Sequence, residues 1–351
     1  MRAVLFERFG ELPRIADVAD PVAADDGVIV RVEASGLCRS DIHGWLGHDG
    51  GIAVPHVPGH EFVGRIDSVG SGVRNFHVGQ RVTTPFVCAC GDCPECRSGN
   101  GQVCRNQTQP GFTHWGSYAE LVAVRNADVN LIEIPDSMDA AAAALLGCRF
   151  ATAFRGVVHQ GRVAAGEWMI VVGAGGVGLS CVMIGHALGA RVIAVDVSPE
   201  ALGSASRLGA ELVIDSRGRD ADDLVAELVE ATRGGAQLSV DALGRQETMS
   251  LGISSLAPRG RHVQIGLFAD EPRFPMPAVI ARELEVLGSH GMRAADYGEL
   301  LALVRAGSLR PDAIVTSRIG LDDVPDAMLR MSRGELVGVT VIDVAGKVSE
   351  R

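Results

Sequence analysis

Five of the eight cysteines, Cys88, Cys90, Cys93, Cys96 and Cys104, crowd into one short stretch. Four thiolates spaced Cys90-x2-Cys93-x2-Cys96-x7-Cys104 can close a tetrahedral shell on one zinc ion. A closed shell leaves no position for a substrate, so such a site is structural and pins a loop that has little apolar content of its own. Spacing alone also admits Cys88, Cys90, Cys93 and Cys96 as the ligand register. The cluster's only basic neighbours are Arg97 and Arg105, a thin endowment for a knuckle that grips nucleic acid.

A second constellation is Gly173-Ala174-Gly175-Gly176-Val177-Gly178, which follows the apolar run Met169 to Val172 and opens a helical pattern. Glycines at these positions permit a tight turn and close approach of a pyrophosphate to a helix N-terminus. Asp196 ends the next apolar run, where a carboxylate hydrogen-bonds the adenosine ribose and repels a 2′-phosphate, which favours NAD over NADP. A third group is Cys38-Arg39-Ser40-Asp41-Ile42-His43, Gly59-His60-Glu61 and the isolated Cys148. Two thiolates and an imidazole give a three-ligand zinc site with one open position. No spacing rule links residues so far apart, and taken singly each lone cysteine reads as buried apolar filler.

The elements that must position these groups fall into two textures. Residues 1–149 carry short Val- and Gly-rich runs between turn signals, such as Gly27 to Val32 and Glu61 to Ile66, and predict a β-rich domain. An alanine helix follows Asp139. Residues 150–289 alternate apolar runs and helical patterns, the signature of a parallel sheet wrapped by helices. The tail, residues 290–351, is expected to return to the first domain with helices near 297–304 and 326–331 and a last strand at 339–342. The segment Trp168 to Ala190 contains no Asp, Glu, Lys or Arg, yet its six glycines make it a strand, turn and helix rather than a membrane span.

Composition sets the outer limits. With 351 residues, 47% apolar and 21% charged, the chain has length for two domains and the balance of a folded protein. A net charge of −11 has the wrong sign for phosphate-driven binding of nucleic acid. The first residues lack a secretory pattern, and the expectation is a cytoplasmic protein without a membrane partner.

Read together and in order, Gly36-Leu37-Cys38-Arg39-Ser40-Asp41-x-His43, Gly59-His60-Glu61, the four-cysteine loop, Gly147-Cys148 and the glycine fingerprint resemble the zinc-dependent medium-chain alcohol dehydrogenase family over nearly the whole chain. The resemblance implies a GroES-like catalytic domain and a doubly wound parallel-sheet (Rossmann) cofactor domain. It implies NAD and two zinc ions per chain, one held by Cys38, His60 and Cys148, the other by Cys90, Cys93, Cys96 and Cys104. It implies that Ser40 bonds the substrate oxygen and that His43 ends a proton relay through the nicotinamide ribose. Asp41 and Glu61 stand behind the metal, Arg39 binds pyrophosphate together with the turn Gly173, Gly175, Gly176, Val177 and Gly178, and Trp45 and Phe86 line the pocket. Cys88, Cys181, His48 and His56 match no family role, the two histidines reading as loop or surface residues. Many members carry a pyrophosphate-binding arginine near the last strand where this chain has Val339. The expected activity interconverts small alcohols with aldehydes or ketones in a homodimer or homotetramer paired through Leu284 to Leu287. The alternatives are a polyol-type dehydrogenase, whose relatives typically carry glutamate in place of Cys148, and a non-catalytic NAD-binding protein.

Overall fold

Apolar β-branched runs that cannot face water dictate two large sheets in the computed structural model, which describes residues 1–345. The described residues divide into two compact units, one comprising Met1–Ala151, Gly291–Ala302 and residues 310–345, the other Thr152–His290 and Leu303–Leu309. Of the expected return segment, residues 346–351 lie outside the described residues.

In the first unit, strands β1 (Arg2–Leu5) and β2 (Arg14–Asp17) form an antiparallel pair. β3 (Val28–Gly36), β4 (Phe62–Val69), β5 (Arg81–Thr83), β6 (Leu121–Val124) and β7 (Ile132–Glu133) belong to a larger sheet. Its inward alternation, Val28, Val30 and Val32 on β3 against Phe62, Ile66, Val82, Val122 and Val124, makes a dry core. The helix at Ala140–Ala144 begins where Asp139 accepts the Ala142 N–H at 3.1 Å, and it runs on through a wider, π-helical turn at Leu146–Phe150. The helical run Ala140–Gln160 is long and apolar enough to cross a bilayer, and 89% of its most apolar window is buried in the protein.

The second unit contains β8 (Trp168–Val172), β9 (Arg191–Asp196), β10 (Leu212–Asp215), β11 (Ala236–Asp241), β12 (Leu256–Gln264) and β13 (Glu285–Gly288). All pair in parallel in the order β10-β9-β8-β11-β12-β13. Every residue of β8 is buried, as a central strand covered on both faces requires. Numbered from β8, this is the doubly wound order 3-2-1-4-5-6, which reverses direction between β8 and β11 and opens a ligand crevice at the strands' C-terminal ends. The uncharged stretch Trp168 to Ala190 forms β8, a turn and the helix Gly176–Ala187.

The chain then returns to the first unit. β14 (Val315–Gly320) and β15 (Val339–Asp343) join its sheet, where β15 runs antiparallel to β3 with Val341 opposite Gly36. The seven-stranded order is β14-β15-β3-β4-β5-β7, with β6 on β3.

Candidate active site

β3 ends at Gly36, and the helix Arg39–Trp45 starts two residues after Leu37 with Cys38 as its N-cap. This junction brings the Cys38 Sγ, a ring nitrogen of His60 and the Cys148 Sγ within 4.8 Å of one another. His60 Nδ1–H donates to Asp41 Oδ1 at 2.9 Å, which leaves the Nε2 lone pair for the thiol side. The hydrogen bond shared with Cys148 holds the Cys38 thiol well below its ordinary pKa, helped by His60 and Arg149, and raises Cys148 well above it. Burial would lower the His60 pKa, but Asp41 and the Cys38 sulfur overcome it and hold it well above the usual imidazole value. A buried group of donors this hungry for positive charge fits a metal cation, and two thiolates plus one imidazole is a zinc donor set with a fourth position to spare.

Behind the donors lie two carboxylates with different duties. Asp41 Oδ1 also accepts the Gly59 N–H at 3.0 Å, and its Oδ2 accepts the Tyr118 hydroxyl at 2.7 Å. The Tyr118 oxygen lies 3.4 Å from the Cys38 N–H, so one buried carboxylate ties together the elements that carry Cys38 and His60. Glu61, fully buried, is gripped by Arg149: the backbone N–H reaches Oε1 at 2.9 Å, Nε reaches both oxygens at 2.9 Å, and Nη2 meets Oε2. Arg149 also donates from Nη2 to the Leu37 carbonyl at 3.1 Å. A Cβ on Gly36 would stand 2.2 Å from Glu61 Oε2, so only glycine lets β3 pass this pair. Cys148 and Arg149 both sit on the π-helical turn, a helix irregularity that recurs at functional sites.

The four-cysteine loop resolves the open register. Cys90, Cys93, Cys96 and Cys104 converge, with Sγ separations of 4.0 Å (90 to 96), 3.4 Å (93 to 96) and 3.6 Å (93 to 104). Tetrahedral ligands at the Zn–S distance of about 2.3 Å stand about 3.8 Å apart, far longer than a disulfide of about 2.05 Å. The Cys90 and Asn106 N–H groups both point at Cys104 Sγ from 3.3 Å. Backbone donors Asp92 and Cys93 hold the Cys90 thiol down to about 6. Cys88 faces away, buried against Thr84 with its thiol pushed up to about 12, and Cys181 is likewise pushed up to about 12 by burial.

In the second unit the glycine turn follows β8 directly. Gly173 adopts φ +95°, and a Cβ on Gly178 would sit 1.7 Å from the Gly173 carbonyl, so the turn and the helix contact it makes both demand glycine. Asp196 closes β9, its Oδ2 accepting the Ala174 N–H at 2.6 Å and its Oδ1 the Ser198 N–H at 2.8 Å. The carboxylate expected to face a ribose is therefore already anchored to the turn expected to face the pyrophosphate.

Residues 24–136 match the alcohol dehydrogenase GroES-like domain and residues 176–306 the zinc-binding dehydrogenase domain. An alcohol dehydrogenase from Geobacillus stearothermophilus is 31% identical across 98% of this chain and 100% of its own. The chain belongs to the zinc-binding medium-chain alcohol dehydrogenase family. A sorbitol dehydrogenase from Halalkalibacterium halodurans is 28% identical over 94% of this chain and 95% of its own. The solved structure of the alcohol dehydrogenase TADH from Thermus sp. ATN1 superposes with a TM-score of 0.89 at 31% identity, covering 98% of this chain and all of that one. The chain is thus an NAD-dependent, zinc-containing oxidoreductase with two zinc centres, built on a GroES-like domain and a Rossmann-type sheet.

The remaining residues expected at the dehydrogenase site are not all where sequence puts them. Ser40 Oγ is 3.8 Å from Cys38 Sγ, and exposed Arg39 reaches the Met331 carbonyl at 3.5 Å. Phe86 meets the His60 ring edge-on at 6.1 Å between centroids. Trp45, only 3% exposed, packs with Val4, Phe6, Leu37 and Ile42 and donates Nε1–H to the Glu11 carbonyl at 2.6 Å. The second ring beside His60 is Phe112, 5.2 Å away and missed in the sequence, and it packs against the same core cluster as Trp45. Arg149 was also missed, although it is the one charge in the apolar stretch 140–154 and a buried charge needs a partner. His56 is buried rather than at the surface, 2.8 Å from the Gly111 carbonyl. His48 is exposed as expected, yet it is not solitary: its Nδ1 lies 3.1 Å from Nδ1 of His43.

Proposed function

We propose that this dehydrogenase interconverts simple aliphatic or aromatic alcohols with their aldehydes or ketones. The observation that carries the reading is the side of His60 bordered by Phe86 and Phe112, while both nearby carboxylates are already committed, Asp41 to His60 and Tyr118, Glu61 to Arg149. Apolar rings and occupied carboxylates suit a substrate with one polar end and serve a polyol poorly, since each extra hydroxyl would need a partner.

Bound zinc supplies a Lewis acid that brings an alcohol proton within reach of neutral pH, and bound NAD takes up the hydride. The chain's part is to hold and to move a proton. Cys38, His60 and Cys148 hold the metal, and Asp41 keeps the proton of His60 on Nδ1 so that Nε2 stays a ligand. Ser40 accepts the substrate's hydroxyl proton beside Cys38, and His43 passes it outward. Arg39, Gly173, Gly175, Gly176, Val177, Gly178 and Asp196 seat the cofactor, with Arg39 the main cationic contact because position 339 is valine.

The second reading, a polyol dehydrogenase, is favoured by the similarity to the sorbitol dehydrogenase. Initial rates across primary, secondary, aromatic and polyhydroxy alcohols with NAD and NADP separate the two, alongside metal analysis. Two zincs and a preference for monohydric alcohols are expected. A sugar alcohol as best substrate would establish the polyol reading, and NAD binding without turnover of any alcohol or carbonyl would leave a non-catalytic binder. We also infer a homodimer or homotetramer, because β13 is an edge strand flanked by exposed Met276 and Ile280. Light scattering that returns the monomer mass would refute it.

A further inference from the structure

The helix that carries Cys38 ends in a way that its catalytic length does not require. At its C-terminus the Gly47 N–H returns to the Gly44 carbonyl at 3.0 Å and the His48 N–H to the His43 carbonyl at 2.9 Å, with Gly47 at φ +81°. This double closure is the Schellman arrangement, in which the residue after the left-handed glycine folds back over the residue five positions earlier. In most helices that contact is apolar. Here it is imidazole on imidazole: His43 and His48 have ring centroids 5.4 Å apart, planes inclined by 41°, and Nδ1 atoms at 3.1 Å. Backbone geometry, not the drift of two surface side chains, sets the pair.

An Nδ1-to-Nδ1 contact forces a division of labour. One ring carries its proton on Nδ1 and donates, the other presents a lone pair and accepts, and both Nε2 atoms remain at the outer ends. We propose that His48 is the outlet of the proton relay, taking from His43 the proton that the substrate alcohol releases and delivering it to bulk water. The inference rests on the relay role given to His43 above. As a proton bonds to His43 Nε2, the N–H bond at His43 Nδ1 breaks and one forms at His48 Nδ1. His48 then loses a proton to water, so one proton enters and one leaves. Both rings are exposed, so water resets their tautomers between turnovers.

The surroundings of His43 disfavour a charge that stays on it. Partial burial disfavours a cation on His43, as do His48 and, one turn earlier on the same helix, Arg39, while the Cys38 sulfur opposes them.

The test uses the zinc-loaded enzyme and the variants His43→Gln, His48→Gln and the double variant, each checked for unchanged melting temperature and zinc content. Proton release in the first turnover of alcohol oxidation is followed with a pH indicator from pH 5.5 to 9. His48→Gln is expected to slow release several-fold below pH 7, with added imidazole restoring it, and the double variant to be no slower than His43→Gln, as groups in series require. Losses that multiply, or a profile unmoved by His48→Gln while His43→Gln is slow, overturn the outlet. A His43→Gln enzyme with wild-type release overturns instead the relay on which it rests. Independently of activity, 15N resonances of the histidines should show the His43 pKa rising in His48→Gln, because a nearby imidazole that disfavours its cation is gone. An unchanged His43 titration overturns the pairing.

Discussion

Arg149→Met tests whether the buried pair with Glu61 holds the catalytic donors in place. Glu61 is 0% and Arg149 4% exposed, and the guanidinium makes every side-chain donor contact that Glu61 receives from Arg149. Removing it strands a carboxylate in the core, and breaking a buried pair costs about 3–5 kcal/mol. The Leu37 carbonyl also loses its donor, about 1 kcal/mol more. The cost should depend on pH, because Glu61 can escape by protonating. Burial already raises its pKa against the pull of Arg149, and without Arg149 the value climbs further. A carboxyl whose folded pKa exceeds its unfolded one binds more protons when folded, so the variant loses stability as pH rises from the ordinary carboxylate range through the raised value. Urea unfolding at pH 5 and pH 8, with zinc retained by each sample measured in parallel, should show the larger deficit at pH 8. Glu61→Gln combined with Arg149→Met should recover much of it, since no charge is then left alone. A deficit below about 1 kcal/mol at pH 8, equal deficits at both pH values, or a double variant no more stable than Arg149→Met would refute the argument.

Asp196→Gly with Val197→Arg should move cofactor preference toward NADP at least tenfold in kcat/KM, by removing repulsion and adding a phosphate partner. Because Asp196 also anchors the Ala174 N–H, the affinity for both cofactors should fall together, and an unchanged ratio would show that Asp196 does not read the ribose. Trp45→Ala should cost about 3–5 kcal/mol of stability as a core truncation and leave the ranking of alcohol substrates intact, whereas Phe112→Ala, at a half-buried ring packed against the same core, should cost less and reorder that ranking. The reverse pattern in a graded alcohol series would restore Trp45 to the pocket. His262 is fully buried, accepts from Ser239 at 2.8 Å and has a pKa lowered by burial, so it stays neutral in the fold. Folded protein then binds fewer protons than unfolded, and stability is lost as pH falls below about 6.5 toward the lowered value. His262→Gln should flatten that acid limb by up to one proton in urea titrations, and an unchanged slope would count against it.

Local chemistry was legible in the sequence wherever it was dense. Cys90 to Cys104 lie close enough to meet on their own loop, and the turn Gly173 to Gly178 announces itself between an apolar strand and a helix, so the structural metal site and the wrapped parallel sheet could be read directly. Cys38, His60 and Cys148 could not be joined by spacing, since β3, β4 and the alanine helix must fold before they meet, and only the resemblance linked them. What escaped are partners fixed by tertiary contact: Tyr118 on Asp41, Arg149 on Glu61, Phe112 on His60. That Trp45 packs into the core was not legible either, because a helix has two sides and its sequence neighbours, Gly44 and Leu46, do not say which one faces inward. The His43–His48 contact was missed for a subtler reason, that a glycine at position 47 reads as a loop until its left-handed φ is seen to fold the chain back.

The order in which the ribosome delivers this chain is at odds with the order in which its first sheet is assembled. Gly36 pairs with Val341, so the end of β3 nearest the catalytic cysteine keeps an unpaired edge while nearly the entire polypeptide is still to be synthesised. The parallel sheet from β8 to β13, by contrast, comes from one uninterrupted stretch and can form as it emerges. The metal-binding half is thus begun first and finished last. A nascent or truncated chain lacking β15 offers Ala34 to Gly36 as an open strand edge to its neighbours, and chaperone capture or aggregation during synthesis should centre there rather than on the nucleotide-binding half.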